Sequence, residues 1–128
     1  MTAGVTDRRR TLGQEAEEAA AQFLQAAGLR VIERNVRFVH GEIDLVCRDG
    51  AVVVFVEVKC RHARWGDAPA EAVSWHKQRR LTRLAQHYLK WRRLTNARCR
   101  FDVVGVTIAD DGTRHVRHLR AAFDAVGG

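Results

Sequence analysis

The chain has 128 residues, which suits one domain with a single core, and its 46% hydrophobic content excludes wholesale disorder. Its 22 Lys and Arg exceed its 15 Asp and Glu, which gives a formal net charge of +7. This excess predicts attraction to a polyanion such as nucleic acid, although a generally basic proteome would give the same balance. No apolar stretch reaches the length of a membrane span, so we expect no membrane insertion.

The first half of the chain predicts one helix and three strands, over residues 14–27, 31–38, 42–47 and 51–60. Gly28 ends the helix, and Asp49-Gly50 predicts a hairpin between the second and third strands. The third strand is almost wholly apolar from Val52 to Val56. Such a strand is covered on both faces and is therefore expected at the centre of a sheet.

The second half predicts a loop, a long helix and two strands, over residues 62–70, 75–93, 101–108 and 115–119. Ser74 is the candidate N-cap of the helix, and Asp111-Gly112 predicts the turn before the last strand, which we place at an edge. The order αβββαββ predicts an α/β fold, in which a mixed five-stranded sheet is flanked by helices.

Three cysteines, Cys47, Cys60 and Cys99, show no C-x-x-C spacing, which argues against a disulfide framework or a zinc knuckle. The arginines at the start of the chain are not followed by the apolar run of a signal peptide. We therefore expect reduced thiols and a cytoplasmic location. Residues 1–11 are predicted to form a flexible basic tail, and residues 12–126 a single domain.

Two acidic residues interrupt apolar strands: Asp44 in the second strand and Glu57 in the third. A buried carboxylate is costly unless it is paired or bound to a metal. Glu57 and Lys59 share a face because side chains alternate along a strand, and the hairpin brings Asp44 beside them. This arrangement predicts a site for Mg²⁺ or Mn²⁺, with Lys59 placed to stabilise developing charge. The alternative is a buried Glu57–Lys59 ion pair with a structural role.

The first helix offers a further carboxylate. Glu17 borders the apolar stripe of this helix, whereas Glu18 lies on its wet face, so Glu17 is the candidate third metal ligand. The alternative is that these acids only stabilise the helix N-terminus.

Asp102 is another acid on an apolar strand, and it either joins the metal pocket or pairs with an arginine. We favour the pairing. The histidines, including His115 and His118, match no catalytic or metal motif such as H-E-x-x-H.

No acid occurs from Ala72 to Arg100, although nine Lys and Arg do. The second helix therefore presents a basic face suited to a phosphate backbone, with candidates Lys77, Arg79, Arg80 and Arg83. A solvated helix face is the alternative, but such faces normally mix the two signs of charge. Trp65 and Trp75 either stack on bases or serve packing.

Asp44 followed by Glu57-Val58-Lys59 resembles the signature of PD-(D/E)xK nucleases. The chain as a whole is similar to the bacterial UPF0102 (YraN-like) family, from about Leu12 to Phe123. Four motifs carry this resemblance: Arg34-Asn35-x-Arg37, Gly41-Glu42-Ile43-Asp44-Leu45, Phe55-Val56-Glu57-Val58-Lys59-x-Arg61 and Arg100-Phe101-Asp102-Val103-Val104.

The resemblance implies a single endonuclease-like domain with a restriction-endonuclease-like core, similar to archaeal Holliday junction resolvases. It implies Glu17, Asp44 and Glu57 as metal ligands and Lys59 as the catalytic lysine. The resemblance adds Arg37 and Arg61 to the nucleic-acid surface, and it matches Lys77 to a further basic position of the family. Because Holliday junction resolvases form dimers, the resemblance also raises the hypothesis of a homodimer.

The leading hypothesis from the sequence is a metal-dependent endonuclease that acts on DNA, either branched or single-stranded. A second hypothesis is a module that binds nucleic acid and keeps the nuclease fold without turnover. A third is a structural adaptor for a protein partner, which would not bind DNA at moderate salt.

Overall fold

The computed structural model describes residues 11–63 and 73–126. In chain order its elements are α1 (Leu12–Ala26), β1 (Arg30–Phe38), β2 (Gly41–Asp49), β3 (Val52–His62), α2 (Trp75–Trp91), β4 (Cys99–Ile108) and β5 (Arg114–Phe123). This confirms the predicted order αβββαββ and the α/β class, with a mixed five-stranded sheet flanked by helices. Trp65 and most of the predicted tail and 62–70 loop lie outside the described residues.

The five strands form one mixed sheet in the order β1-β2-β3-β4-β5. The β3–β4 pair is parallel, and the other three neighbouring pairs are antiparallel. A parallel pair needs a long crossover connection, which α2 supplies. The apolar strand β3 lies at the centre and β5 at an edge, as predicted.

Both helices begin at side-chain caps. The Thr11 hydroxyl accepts a hydrogen bond from the Gln14 backbone N, and the Gln14 side chain accepts one from the Thr11 backbone N. This capping box starts α1 two residues earlier than predicted, so Thr11 belongs to the helix cap and not to the tail. Ser74 caps α2 as predicted, whereas α2 ends at Trp91 because Arg93 has a left-handed φ of 57°.

The sheet is covered on both faces, and alternate residues of β3 face opposite helices. On one face Val54 and Val56 pack with α1, through Ala16, Ala20 and Leu24. On the other face Val53 and Phe55 pack with α2, through Leu81, Leu84 and Tyr88. Glu57 and Lys59 continue the second series, so they lie on the face that α2 covers.

The edge strand β5 is longer than the predicted 115–119 because an irregularity lets it continue. The register against β4 shifts between Phe101 and Val103, and Ala121 has a φ of 49°. The Ala121 N–H, displaced from the ladder, donates to Asp102 Oδ1 at 3.0 Å. No helix in the two described ranges is long and apolar enough to cross a membrane.

Candidate metal and nucleic-acid site

The site begins where β2 and β3 separate. Their ladder ends at the Leu45–Val56 pair, and Asp44 comes next along β2. The Asp44 side chain fills the gap, because its Oδ2 accepts a hydrogen bond from the Val58 backbone N at 2.8 Å. Asp44 is thereby held between the two strands, beside Glu57.

Negative charge accumulates around Asp44. Burial raises the pKa of Asp44, and the neighbouring charge of Glu57 raises it further, to about 7. The Val58 N–H lowers this pKa, while Glu17 and Glu42 add smaller increases. Among the residues that the structure describes, Asp44 forms no ion pair. The cluster therefore contains a carboxylate whose charge no cation of the described chain neutralises directly.

Glu57 is buried, with 5% of its surface exposed. Lys77 Nζ of α2 lies 2.7 Å from its Oε2. The alternative Glu57–Lys59 ion pair does not form within the described residues, because α2 brings Lys77 over the face of β3 that holds Glu57. A residue predicted for nucleic-acid binding is thus the partner of a predicted metal ligand.

Glu17 joins the cluster through Asn35, which sequence reasoning did not identify as a site residue. In the amide orientation that satisfies both carboxylates, the Asn35 nitrogen donates to Glu17 Oε1 and to Glu42 Oε2, each at 3.0 Å. Burial, then the charge of Glu42, raises the pKa of Glu17, against the lowering effects of Asn35, Arg34 and Arg37. Asn35 has a φ of 53°, and asparagine is one of the few residues that tolerate this conformation.

Glu18 also reaches the sheet, contrary to its assignment to the wet face of α1. Arg34 Nη1 of β1 lies 2.7 Å from its Oε1. Glu17 and Glu18 therefore both tie α1 to β1, and Glu17 shares its Asn35 contact with Glu42.

The remaining strand residues of the prediction are more dispersed. Lys59 is half-buried on β3 opposite Gly105 of β4, on the same face as Glu57. Arg61 follows two residues later on that face. Arg37 is largely exposed, and its Nε lies 3.4 Å from Glu42 Oε2. Within residues 11–63 and 73–126, no group of three His, Cys, Asp or Glu side chains is arranged to hold a metal ion.

The basic residues of α2 converge on a cavity of about 470 Å³. Its lining includes Arg79, Arg80 and Arg83, all three predicted from the sequence, together with His40, His76 and His87. Trp75 is more than half exposed, and the Arg79 guanidinium carbon lies 5.5 Å from the centre of its ring. No sequence motif groups these histidines, because His40 belongs to the β1–β2 turn and lies far along the chain from His76 and His87 of α2.

Asp102 lies in a separate polar network on β4, where it is the register partner of Val56 of β3. It is fully buried, and it accepts hydrogen bonds from Arg100 Nε at 2.9 Å and from the Ala121 N–H. The predicted pairing with an arginine is therefore confirmed. His118 is a further partner that no sequence motif indicated, and its Nε2 lies 2.7 Å from Asp102 Oδ2.

Comparisons with known proteins agree with these motifs. The model of the "Uncharacterised protein family UPF0102" matches residues 16–106. A UPF0102 protein of Symbiobacterium thermophilum is 52% identical, over 91% of this chain and 98% of that protein. A UPF0102 protein of Anaeromyxobacter dehalogenans is 44% identical, over 97% of this chain and 92% of that protein. The structure of Pyrococcus furiosus SfsA in complex with Ca²⁺ is 18% identical, with a TM-score of 0.39, and the match covers 83% of this chain and 59% of that chain.

Proposed function

The chain belongs to the UPF0102 family, and from that premise we propose that it binds DNA and hydrolyses phosphodiester bonds with the help of Mg²⁺ or Mn²⁺. The observation that carries the proposal is the carboxylate cluster between β2 and β3. Asp44 is half-buried there without a cationic partner among the described residues, and the charge of Glu57 contributes to its raised pKa. Uncompensated carboxylates at such a position favour a cation.

The donor chemistry of the cluster fits a hard divalent cation. Asp44, Glu57 and Glu17 offer carboxylate oxygens, the ligands that Mg²⁺ and Mn²⁺ prefer. A bound cation of this kind would polarise a phosphoryl oxygen and lower the pKa of a water molecule. In this proposal Lys59, on the same face as Glu57, stabilises the negative charge that develops on the phosphate.

The basic surface of α2 supports DNA as the substrate. The first turn of α2 contains no acidic residue, and Arg79, Arg80 and Arg83 gather on one side of it. Contacts from such residues to phosphates fix position on a strand without reading its sequence. The three free cysteines agree with a reducing, cytoplasmic setting for this activity.

One contact favours the second candidate, a nucleic-acid-binding module without turnover. Lys77 Nζ already lies 2.7 Å from Glu57 Oε2 and neutralises part of the cluster. If this ion pair persists in solution, it competes with a metal ion for Glu57. The cluster would then serve the fold, while the arginines of α2 would still bind phosphates.

Cleavage assays distinguish the two candidates. Purified protein is incubated with plasmid, single-stranded and four-way-junction DNA in the presence of Mn²⁺. We expect cleavage that is lost in Glu57→Gln and in Lys59→Ala and kept in Glu18→Gln, which removes a carboxylate from α1 outside the cluster. Intact DNA in every reaction, together with gel shifts that weaken as salt rises, would instead establish the binding module.

The adaptor hypothesis and the homodimer have their own tests. An adaptor predicts no gel shift at moderate salt, and binding to a protein partner that survives the removal of Arg80 and Arg83. A homodimer, as in resolvases, predicts a sedimentation mass twice that of one chain, and a monomeric mass would exclude it.

A further inference from the structure

The cavity beside α2 collects hydrogen-bond donors. Of its lining residues in the described part of the chain, one, Leu84, is apolar. The other six carry guanidinium or imidazole groups: His40, His76, Arg79, Arg80, Arg83 and His87. No acidic side chain of the described chain lines the cavity. Its donors therefore face one another without the carboxylates that usually pair with arginine.

The walls of this cavity are fixed by two elements. Four of its residues recur at helical spacing and share one face of α2: His76, Arg80, Arg83 and His87. The β1–β2 turn brings His40 opposite them, since Gly41 packs against the helix. A Cβ on Gly41 would lie 3.3 Å from Arg80 Cδ. His87 is also held in place, stacked on Phe38 with ring centres 4.9 Å apart.

One donor of the cavity wall has no partner. Arg79 Nε is buried, and no acceptor among the described residues hydrogen-bonds to it. Buried N–H groups are almost always satisfied, so an unsatisfied one needs an explanation. Because Nε is closed to solvent, a rotation of the Arg79 side chain toward an oxyanion in the cavity would give it the missing acceptor, and guanidinium groups bind phosphate oxygens in pairs.

The shape of the site favours the end of a strand. A volume of about 470 Å³ lies within the range of small-ligand sites. A phosphate inside a duplex is flanked by sugars on both sides, which keep it out of a concave site, whereas a terminal phosphate is flanked on one side only. A phosphomonoester also carries more negative charge than a phosphodiester, and it faces three arginines here.

We propose that this cavity binds a phosphomonoester, either the terminal phosphate of a nucleic-acid strand or the phosphate of a free nucleotide. The strand as the source rests on the proposed function, whereas the phosphate site itself rests on the cavity alone. Lys77, which contacts Glu57, precedes Arg80 by three residues on α2, so the cavity and the carboxylate cluster are joined by one rigid element. A strand end held in the cavity is thereby presented beside the cluster.

The test compares matched single-stranded oligonucleotides by fluorescence anisotropy at fixed salt and without divalent cations. They carry a 5′-phosphate, a 3′-phosphate or only hydroxyl ends. For the wild-type protein we expect a phosphorylated end to bind roughly tenfold more tightly than the hydroxyl-ended strand, the equivalent of one good charge-assisted contact. Arg79→Gln and Arg83→Gln should reduce this preference to less than about twofold. The control Arg98→Gln removes an exposed arginine outside the cavity, and this variant should retain the preference for a phosphorylated end.

The outcomes separate the inference from the proposed function. Equal affinity of the wild-type protein for phosphorylated and hydroxyl-ended strands overturns the phosphate site while leaving DNA binding in place. If no strand binds, calorimetry with adenosine monophosphate and inorganic phosphate decides. If the wild-type protein binds adenosine monophosphate and Arg83→Gln does not, the phosphate site in the cavity is supported with a free nucleotide as its ligand. The proposed action on DNA would then fail, and the inference would stand. If the wild-type protein binds neither DNA nor adenosine monophosphate nor inorganic phosphate, the phosphate site and the proposed function are both refuted. Circular dichroism melts identify a variant that does not fold, and Arg79→Gln and Arg83→Gln serve as independent replicates.

Discussion

Replacing Asp44 with asparagine separates the charge of this residue from its hydrogen bond. The asparagine oxygen can still accept from the Val58 N–H, but the side chain no longer ionises. In the folded protein the pKa of Asp44 is raised to about 7 by burial and by the charge of Glu57. In the unfolded chain an aspartate has a pKa of about 3.9. At a pH between these two pKa values, Asp44 holds a proton in the folded state and releases it in the unfolded state.

The sign of the effect follows from this difference. Because the folded state binds more protons, the free energy of unfolding of the wild-type protein falls as the pH rises from about 4 to about 7. Each pH unit inside this window costs up to about 1.36 kcal/mol, so the interval from pH 5 to pH 7 costs at most roughly 2.7 kcal/mol. The Asp44→Asn variant does not lose this stability as the pH rises, because asparagine does not ionise. We expect its stability relative to the wild type to be about 2–3 kcal/mol greater at pH 8 than at pH 5.

Urea unfolding at pH 5 and pH 8, followed by tryptophan fluorescence in buffers without divalent cations, measures this difference. Asp111→Asn is the matched control, because Asp111 also accepts from a backbone N–H, that of Thr113, but its pKa is lowered, first by a hydrogen bond with the Thr113 side chain and then by that backbone contact. The control should therefore gain no stability at the higher pH. If Asp44→Asn changes stability equally at the two pH values, or destabilises the protein at pH 8, then burial and repulsion at Asp44 do not operate as described.

Three further substitutions probe contacts elsewhere in the fold, each by urea unfolding at pH 7. Lys77→Met leaves the buried Glu57 carboxylate unpaired and should cost about 1–3 kcal/mol, and no loss would show that the ion pair does not form in solution. Asp102→Ala removes the acceptor shared by Arg100, His118 and Ala121 and should cost about 3–5 kcal/mol; a cost below about 1 kcal/mol would contradict the network. Gly41→Ala, which places a Cβ 3.3 Å from Arg80 Cδ, should be more costly than Gly50→Ala, which meets nothing within 4 Å; equal costs would show that the turn does not pack on α2.

Local patterns predicted the parts of the fold that depend on nearby residues. The apolar run in β3 marks the central strand because only a strand covered on both faces can be apolar throughout. The Asp49-Gly50 turn fixes the pairing of β2 with β3, so the amino-acid sequence by itself is enough to place Asp44 next to Glu57. The arginine spacing on α2 likewise indicated one side shared by Arg79 and Arg83, and both line the cavity.

Contacts between distant segments were beyond the same reasoning. The choice of Lys77 over Lys59 as the partner of Glu57 depends on how α2 packs across β3, which no local pattern encodes. The Asn35 bridge to Glu17 needs a left-handed residue within β1, and the pairing of His118 with Asp102 depends on the register shift of β5. In each case tertiary packing, and not local propensity, determines the partner.

Binding of Mn²⁺, measured by calorimetry at pH 8 on the wild-type protein and its variants, tests the central claim most directly. The account predicts a saturable site of about one ion per chain that is lost in Asp44→Asn and in Glu57→Gln and retained in Glu18→Gln. Binding should also raise the wild-type free energy of unfolding by about 2.7 kcal/mol at a concentration one hundred times the Kd. Absence of binding by the wild-type protein, or unchanged binding after both substitutions, would contradict the account.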